Sequence, residues 1–223
     1  MLDLGCGPGS IAIPFAGDFE QVIGVDPEPT MLDEARKQSE KTGAQNILWV
    51  LGKAEDVSPE LRPVRLTTMG RSFHWMNQAE VLRRIYDVTE KDGGVVISAE
   101  SAPVWRYEEG EESWKKVYKD LVRKYLGPQR RAGGGVYTPP RDFEKVLDES
   151  PFGKHESWEH RFTRPQTPET ILGFLYSSSF AQKEFFGDRR EDFERELHEG
   201  LLKQNPSGNF TENVTLEVLL AKK

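Results

Sequence analysis

Residues 1–9, MLDLGCGPG, decide the fold that the sequence predicts. The apolar opening is typical of the end of a strand, and three glycines at positions 5, 7 and 9 follow it directly. Because glycine has no Cβ and tolerates left-handed backbone angles, such a turn lets the main chain approach a ligand closely. Residues 10–15 begin an apolar helical pattern that breaks near Pro14. The sequence therefore predicts a strand, a glycine loop and a helix in succession.

Strand and helix patterns alternate after this loop. Strands are predicted at residues 21–25, 46–51, 64–69 and 94–99, and helices at residues 27–42 and 78–89. Further helices are predicted at residues 141–149, 168–180 and 188–203, and strands within residues 155–163 and at 211–221. This alternation predicts an α/β fold with a mostly parallel sheet and right-handed crossovers. In the last strand, Val214, Leu216, Val218 and Leu220 alternate, which predicts one buried face.

A single domain is predicted over residues 1–223, with residues 101–140 as an inserted lid rich in aromatic side chains. Trp114, Val117, Tyr118 and Leu121 fall at helical spacing, which favours core packing over a substrate pocket. Trp105 and Tyr107 follow the fifth predicted strand more closely. For these two, the sequence leaves open whether they shield the site from water or serve only as packing.

Composition excludes several function classes. Charged residues make up 30% of the chain and hydrophobic residues 36%, and no apolar run is long enough to span a membrane. The net charge of −7 disfavours nucleic acid, because phosphate binding needs a concentrated basic face. The one cysteine and the lack of a signal-peptide pattern predict a cytoplasmic location. Histidines 155, 160 and 198 lack metal-ligand spacing, so we predict surface positions for them and no bound metal.

The glycine spacing distinguishes between cofactors. A dinucleotide loop places its third small residue at position 10, which is Ser10, whereas here the third glycine is Gly9. Asp26 ends the second predicted strand, 21 residues after Gly5. A carboxylate there can accept hydrogen bonds from both ribose hydroxyls, which we favour. The alternative is that Asp26 caps the following helix, and both roles are compatible.

The runs LDLGCGPG, VIGVDPEPTMLDEAR, GKAEDV and RSFHWMN together resemble the class I S-adenosylmethionine-dependent methyltransferases, of the small-molecule or type 11-like kind. The resemblance implies a Rossmann-like, seven-stranded sheet with helices on both faces and an antiparallel C-terminal strand. It also implies S-adenosyl-L-methionine as cofactor and a small-molecule substrate. Family members usually carry an upstream helix that covers the cofactor. Because Met1 here already lies within the first predicted strand, we expect this N-terminal cap helix to be absent.

The resemblance implies a set of cofactor-binding residues. The glycine loop would hold the methionine portion and Asp26 the ribose, while Asp3 would contact the ammonium group. Glu55 is the least certain of the rest, because a charged-loop position explains it equally well. The implied residues are Asp3, Gly5, Cys6, Gly7, Asp26, Pro27, Met31, Ala54, Glu55, Ser72 and Phe73.

His74, between Phe73 and Trp75, is the one candidate catalytic residue. A histidine can deprotonate an acceptor atom near neutral pH, although a structural hydrogen bond is the stronger interpretation. The function predicted is methyl transfer by in-line displacement, releasing S-adenosylhomocysteine. The alternatives are a non-catalytic S-adenosylmethionine-binding or partner domain and an NAD-dependent oxidoreductase. The methyl acceptor and the oligomeric state are not predictable from the sequence.

Overall fold

The structure, a computed structural model, describes residues 1–61, 63–100, 112–129, 131–132, 135–136 and 142–223. Its strands are β1 Leu2–Leu4, β2 Val22–Asp26, β3 Ile47–Leu51, β4 Val64–Gly70, β5 Thr89–Glu100, β6 Arg131–Ala132, β7 Gly135–Val136, β8 His155–Gln166 and β9 Phe210–Lys222. Its helices are α1 Pro29–Thr42, α2 Gln78–Val88, α3 Ser113–Leu126, α4 Phe143–Asp148, α5 Pro168–Ser177 and α6 Arg190–Gln204.

Seven strands form one sheet in the order β3-β2-β1-β4-β5-β9-β8, and β6 pairs with β7 separately. The pairs β1–β2, β1–β4, β2–β3 and β4–β5 are parallel, whereas β5 and β9 are antiparallel. The predicted Rossmann-like fold is confirmed. The strand order reverses between β1 and β4, and open sheets of this type bind ligands outside the carboxyl ends of the strands at such a point.

Local signals explain most element boundaries. Helix α1 has Pro29 at its first position, and Gly43 ends it with a left-handed φ of 74°. Residues 10–15 are an exception, because they form turns rather than the predicted helix, followed by a short 3₁₀ segment at Ala16–Asp18. The N–H of Ile13 donates to the Gly9 carbonyl and that of Phe15 to the Ile11 carbonyl, as in a helix. Pro14 between them has no N–H, so the series of helical hydrogen bonds is interrupted.

The chain folds into two compact units, each with its own core. The first comprises Met1–Glu100, Pro139–His160 and Leu216–Lys223, and its core joins β1, β4, β5 and β9 to α2 and α4. The second comprises Ser101–Thr138 and Arg161–Thr215. Its core is aromatic, and the core prediction for α3 is confirmed, since Trp114 and Tyr118 are buried with Val117 and Leu121 packed against them.

The predicted lid is described only in part. Trp105 and Tyr107 lie outside the described residues, so their role stays a prediction. Helix α3, which occupies residues 113–126 of the predicted insertion, belongs to the same compact unit as residues 161–215. The single-domain and lid predictions remain predictions. None of the described helices is long and apolar enough to cross a membrane.

The predicted burial of β9 is wrong beyond Val214. Val214 is buried, but further along the strand it is Leu219 and Ala221 that are buried, while Leu216, Val218 and Leu220 are only half-buried. Leu219 and Ala221 belong to the same core as the buried residues of α4. In this part of β9 the core therefore packs against the face opposite to the predicted one.

Replacing Leu82 tests the first core. Leu82 of α2 is fully buried, so Leu82→Ala should lower the free energy of unfolding by about 2–5 kcal/mol through lost packing and a residual cavity. Leu48→Ala is the matched control, because Leu48 on β3 is 51% exposed and its loss should cost about 0.5 kcal/mol or less. Urea titration followed by circular dichroism measures both, and equal losses would contradict this core assignment.

Candidate functional site

The glycine loop lies at the carboxyl ends of β1 and β2. Gly5, Gly7 and Gly9 all have left-handed φ angles, of 65°, 52° and 85°. The N–H groups of Gly5 and Cys6 both donate to the Val25 carbonyl of β2, at 2.8 and 3.0 Å. The loop is therefore fixed by backbone hydrogen bonds to the neighbouring strand.

Gly5 and Gly7 face different surroundings. A Cβ on Gly5 would lie 2.4 Å from the Cβ of Ser72, whose hydroxyl donates to the Leu4 carbonyl at 2.7 Å. Only glycine fits at that contact. A Cβ on Gly7 would meet no heavy atom within 4 Å. The middle of the loop therefore borders open space, where a ligand can approach the main chain.

Asp26 connects the loop to helix α1. Its Oδ2 accepts the Gly7 N–H at 2.8 Å, and its Oδ1 accepts the Glu28 N–H at 2.9 Å, directly before the helix begins. The side chain is nearly buried. The structure therefore places Asp26 two residues before Glu28, the N-cap residue of α1, and α1 has no side-chain capping hydrogen bond, so the capping alternative is wrong. A carboxylate offers about four acceptor sites, so two such bonds leave capacity for ribose hydroxyls.

Asp3 lies beneath the loop and does not reach its surface. It is 1% exposed; Oδ1 accepts the Thr68 hydroxyl at 2.7 Å, and Oδ2 accepts the Ala12 N–H at 3.2 Å. Burial raises its pKa to about 6, opposed by these two hydrogen bonds and assisted by the charge of Asp26. The predicted ammonium contact is not tested, but the structure gives Asp3 a supporting position.

Cys6 presents its backbone to the loop, while its side chain is buried. Burial raises the pKa of the thiol, and the nearby carboxylates of Asp3 and Asp26 raise it further. The thiol is therefore protonated at neutral pH and inert as a nucleophile. Cys6 can contribute to a ligand only through its main chain.

The residues predicted to flank an adenine lie beside Asp26. Pro27 is exposed and Met31 is 40% exposed. Leu51 pairs with Asp26 across β2 and β3 and is 60% exposed. Together they offer apolar surface at the carboxyl ends of these strands.

Ala54 and Glu55 begin a 3₁₀ segment, Ala54–Asp56, after β3. Ala54 is buried, so its backbone is what the segment can present. Oε1 of Glu55 accepts the N–H of Asn77 at 2.7 Å, and Asn77 immediately precedes α2. Glu55 therefore holds the start of a helix, a role that neither the ligand-binding nor the surface interpretation anticipated.

The segment after β4 divides between core and surface. Phe73 is 1% exposed, and its ring meets that of Phe143 edge-on with centroids 5.2 Å apart. Its side chain therefore belongs to the core. His74 is half-buried, and its ring centroid lies 4.7 Å from that of Trp75, which is 50% exposed. Within the 3₁₀ segment Phe73–Trp75, Trp75 is therefore exposed and His74 partly accessible.

Several residues that support the site were not predicted from any sequence motif. Thr68 and the Ala12 N–H hold Asp3, and the Trp49 ring lies so close to Gly24 that a Cβ there would approach it to 2.5 Å. Leu51 beside Asp26 was also missed. The only available signal was the bulky side chain at position 49 opposite a glycine in the neighbouring strand.

One cavity lies away from this edge. A cavity of about 380 Å³ opens before the amino ends of β2 and β3, lined by Gly17, Phe19, Thr42 and Asn46 among others. It contains no ionisable side chain, so the carboxyl edge is the better candidate site. Within the residues that the structure describes, no group of three or more His, Cys, Asp and Glu side chains could hold a metal.

His155 departs from its predicted surface position. Its side chain is only 12% exposed, with Nδ1 2.9 Å from Asp148 and Nε2 3.8 Å from Glu144. It links α4 to β8 and lies outside the candidate site.

The strand order and the glycine loop at the switch point define a Rossmann-like fold, and the comparisons narrow the family assignment. Residues 1–93 match a family model described as a methyltransferase domain. The YcgJ protein from Bacillus subtilis has the same fold, with a TM-score of 0.59 and 14% identity over 100% of this chain and 90% of that one. Phosphoethanolamine N-methyltransferase 2 from Haemonchus contortus matches with a TM-score of 0.55 and 19% identity, over 100% of this chain and 48% of its own.

Curated relatives agree with the family match. An uncharacterised methyltransferase of Schizosaccharomyces pombe is 25% identical over 98% of this chain and 80% of its own length. A Saccharomyces cerevisiae protein named a probable S-adenosylmethionine-dependent methyltransferase is 27% identical over 59% of this chain and 47% of its own. RNA methyltransferases of Listeria are 40% identical over 60 residues, and the chain spans 13% of their length. These matches support the predicted assignment to the class I S-adenosylmethionine-dependent methyltransferases.

The buried carboxyl group predicts a specific pH dependence. Because the pKa of Asp3 is about 6 in the folded protein and 3.8 in its ordinary state, the unfolded chain binds fewer protons between these values. The Asp3 contribution to stability should therefore decrease as pH rises from about 4 to above 6, by up to about 3 kcal/mol.

Asp3→Asn removes this titration while keeping a side chain of similar size. Urea unfolding of both proteins at pH 4.5 and 7.5 should show wild type losing stability relative to Asp3→Asn at the higher pH. Parallel changes in the two proteins would contradict a raised Asp3 pKa.

Proposed function

We propose that the chain binds S-adenosylmethionine at the carboxyl edge of β1 and β2 and transfers its methyl group to a small-molecule acceptor. One observation carries the proposal. The loop at Gly5–Gly9 is fixed by hydrogen bonds to Val25 and Asp26, yet the space beside Gly7 is open. A rigid main chain next to open space, with a carboxylate at its base, is suited to a ligand with a sugar and a polar tail.

The residues present fit such a ligand. Asp26 keeps acceptor capacity for the ribose hydroxyls beyond its two backbone bonds. Pro27, Met31 and Leu51 supply exposed apolar surface for the adenine, and the backbone of Ala54 borders the same edge. The backbone from Gly5 to Gly7 would hold the methionine portion. Asp3 would act beneath the loop, through Ala12 and Thr68.

When bound, the cofactor would supply a methyl group activated on a sulfonium: an acceptor atom would bond to the methyl carbon as the C–S bond breaks, and S-adenosylhomocysteine would leave as a neutral thioether. The chain's own task is to orient the acceptor and exclude water, which can lower the barrier by several kcal/mol. His74 is the proposed proton acceptor for the nucleophilic atom, because it is half-buried after β4. Phe73 shapes the segment from within the core rather than by touching the acceptor.

We propose a small molecule as acceptor, in preference to a nucleic acid. The net charge of −7 opposes binding to a phosphate backbone, despite the short match to RNA methyltransferases. We also propose a cytoplasmic location, which the single buried cysteine favours.

A second candidate is a domain that binds the cofactor without methyl transfer. The burial of Asp3 favours it, since this carboxylate is then withdrawn from the surface of the loop. Incubation with S-adenosylmethionine and a panel of oxygen, nitrogen and sulfur nucleophiles separates the two. Acceptor-dependent release of S-adenosylhomocysteine supports the enzyme, whereas binding without release supports the second candidate.

Replacing Asp26 tests the binding site. Asp26→Ala removes the proposed ribose acceptor, and hydrogen bonds to a charged group contribute about 1.5–3 kcal/mol each. The dissociation constant for S-adenosylhomocysteine should therefore rise at least tenfold, as measured by calorimetry. Asp26→Asn keeps one acceptor oxygen and should give a smaller increase.

Asp33→Ala is the matched control, because Asp33 lies on α1 with a side chain 66% exposed and pairs only locally with Arg36. Its affinity should equal that of wild type. Urea unfolding of Asp26→Ala separates lost binding from lost folding. An unchanged dissociation constant in a folded Asp26→Ala protein would overturn the ribose assignment.

A further inference from the structure

Trp49 on β3 lies against two glycines of the candidate site. A Cβ on Gly24 of β2 would lie 2.5 Å from Cζ3 and 2.6 Å from Cε3 of the indole. A Cβ on Gly9 would lie 2.8 Å from Cη2 of the same ring. Real Cβ atoms essentially never come this close to a neighbour, so a side chain at either position would have to displace the ring. One side chain therefore contacts both the second strand and the end of the glycine loop.

The sheet register explains how a side chain of β3 reaches the loop that follows β1. Trp49 pairs with Gly24 across β2 and β3, and Gly24 pairs with Asp3 across β1 and β2. Neighbouring strands lie about 4.8 Å apart, and side chains at paired positions share one face of the sheet. Because Gly24 has no side chain, the indole can extend across β2 toward the loop. A larger residue at position 24 would block this path.

Gly9 connects the ring to the part of the loop that borders open space. Its N–H donates to the Cys6 carbonyl at 3.0 Å, so Cys6 and Gly9 close a turn around Gly7. Gly9 has a left-handed φ of 85°, which this turn requires. The space beside Gly7 is open. A shift of Gly9 would therefore move the main chain that a ligand at Gly7 would contact.

Neighbouring contacts support this region at other points. The Asp26 carboxylate accepts an N–H two residues before Gly9, and the Asp3 carboxylate accepts one three residues after it. Ile13 also packs at Gly9, with its Cδ1 2.7 Å from the position of the added Cβ, but it belongs to the segment after the loop and moves with it. The contact with Trp49 therefore joins Gly9 to the sheet.

We propose that Trp49 is a positioning residue, which fixes Gly9 and thereby orients the main chain from Gly5 to Gly7 toward the amino-acid portion of the cofactor. This role rests on the proposed function, since that portion lies along the loop only if the site binds S-adenosylmethionine. The ring acts through the loop alone. Its loss should weaken the hold on the amino-acid portion and leave the contacts of the ribose and adenine, at Asp26 and beside it, unchanged.

Two ligands that differ in the amino-acid portion test this role. S-Adenosylhomocysteine carries that portion, whereas 5′-methylthioadenosine ends in a methyl thioether. In Trp49→Ala, the dissociation constant for S-adenosylhomocysteine should rise at least about tenfold by calorimetry, while that for 5′-methylthioadenosine should equal the wild-type value. Trp49→Phe keeps a six-membered ring and should lose less affinity.

Leu48→Ala is the matched control, because Leu48 precedes Trp49 on β3 and is 51% exposed. It should bind both ligands as wild type does. Circular dichroism establishes that each variant is folded. Equal losses for the two ligands, or no loss for either, in a folded Trp49→Ala protein would overturn the positioning role.

Gly24→Ala displaces the ring without removing it. The added Cβ would meet the indole at 2.5 Å, so this variant should show the same selective loss of affinity for S-adenosylhomocysteine. In a Trp49→Ala background there is no ring to displace, and Gly24→Ala should add little further loss, because mutations that act through one contact are not additive. Fully additive losses in the double variant would contradict coupling through the ring.

Amide hydrogen exchange of the unliganded proteins, followed by NMR, separates this role from the proposed function. Without the ring, the Gly9 N–H should exchange at least about tenfold faster than in wild type, because local opening of the loop then costs less. A wild type that binds neither ligand would overturn the proposed function, together with the effect on the cofactor. If wild type binds both ligands but Trp49→Ala leaves exchange at Gly9 unchanged, only the role of Trp49 is overturned.

Discussion

The carboxylate of Asp26 holds together the two chain segments on which the candidate site depends. One oxygen accepts the Gly7 N–H and the other the Glu28 N–H, so the glycine loop and the start of α1 share one anchor at the end of β2. Parallel pairing of β1 with β2 places both segments at the same edge of the sheet. The loop can therefore stay fixed without side chains filling the space beside Gly7, and a ligand can use that space.

A second carboxylate supports this arrangement from below. Asp3 is buried under the loop, and Thr68 of β4 and the backbone of Ala12 satisfy its oxygens. Burying a carboxylate near another is costly, which is why its pKa is raised. Asp3 thus links β1, β4 and the segment after the loop across the switch point. The site is a set of backbone groups positioned by two acids, rather than a cluster of reactive side chains.

The sequence predicted the fold well because two signals were clear: the spacing of apolar residues within helices and strands, and the prolines and glycines at the element ends. Pro29 and Gly43 bounded α1, and the glycine loop and Asp26 marked the carboxyl edge correctly. The predicted helix at residues 10–15 failed because Pro14 interrupts its hydrogen bonds. The buried face of β9 was wrong because both faces carry apolar residues, and only tertiary packing with α4 selects Leu219 and Ala221.

The partners of the site residues were harder to predict than their positions. Nothing local relates Glu55 to Asn77, or Asp3 to Thr68, since these contacts join residues 22 and 65 positions apart. Phe73 appeared in a motif beside His74, yet its ring packs against Phe143, a residue 70 positions later. Such pairs arise only when crossovers bring the strand ends together. The methyl acceptor could not be predicted from the sequence either, because proteins that share this fold catalyse many different reactions.

A crystal structure of the chain with S-adenosylhomocysteine tests the central claim most directly. The account predicts the ribose hydroxyls on the Asp26 carboxylate and the amino-acid portion along the main chain of Gly5 to Gly7. Ligand bound elsewhere, for instance in the cavity lined by Gly17 and Thr42 at the opposite edge, would contradict it.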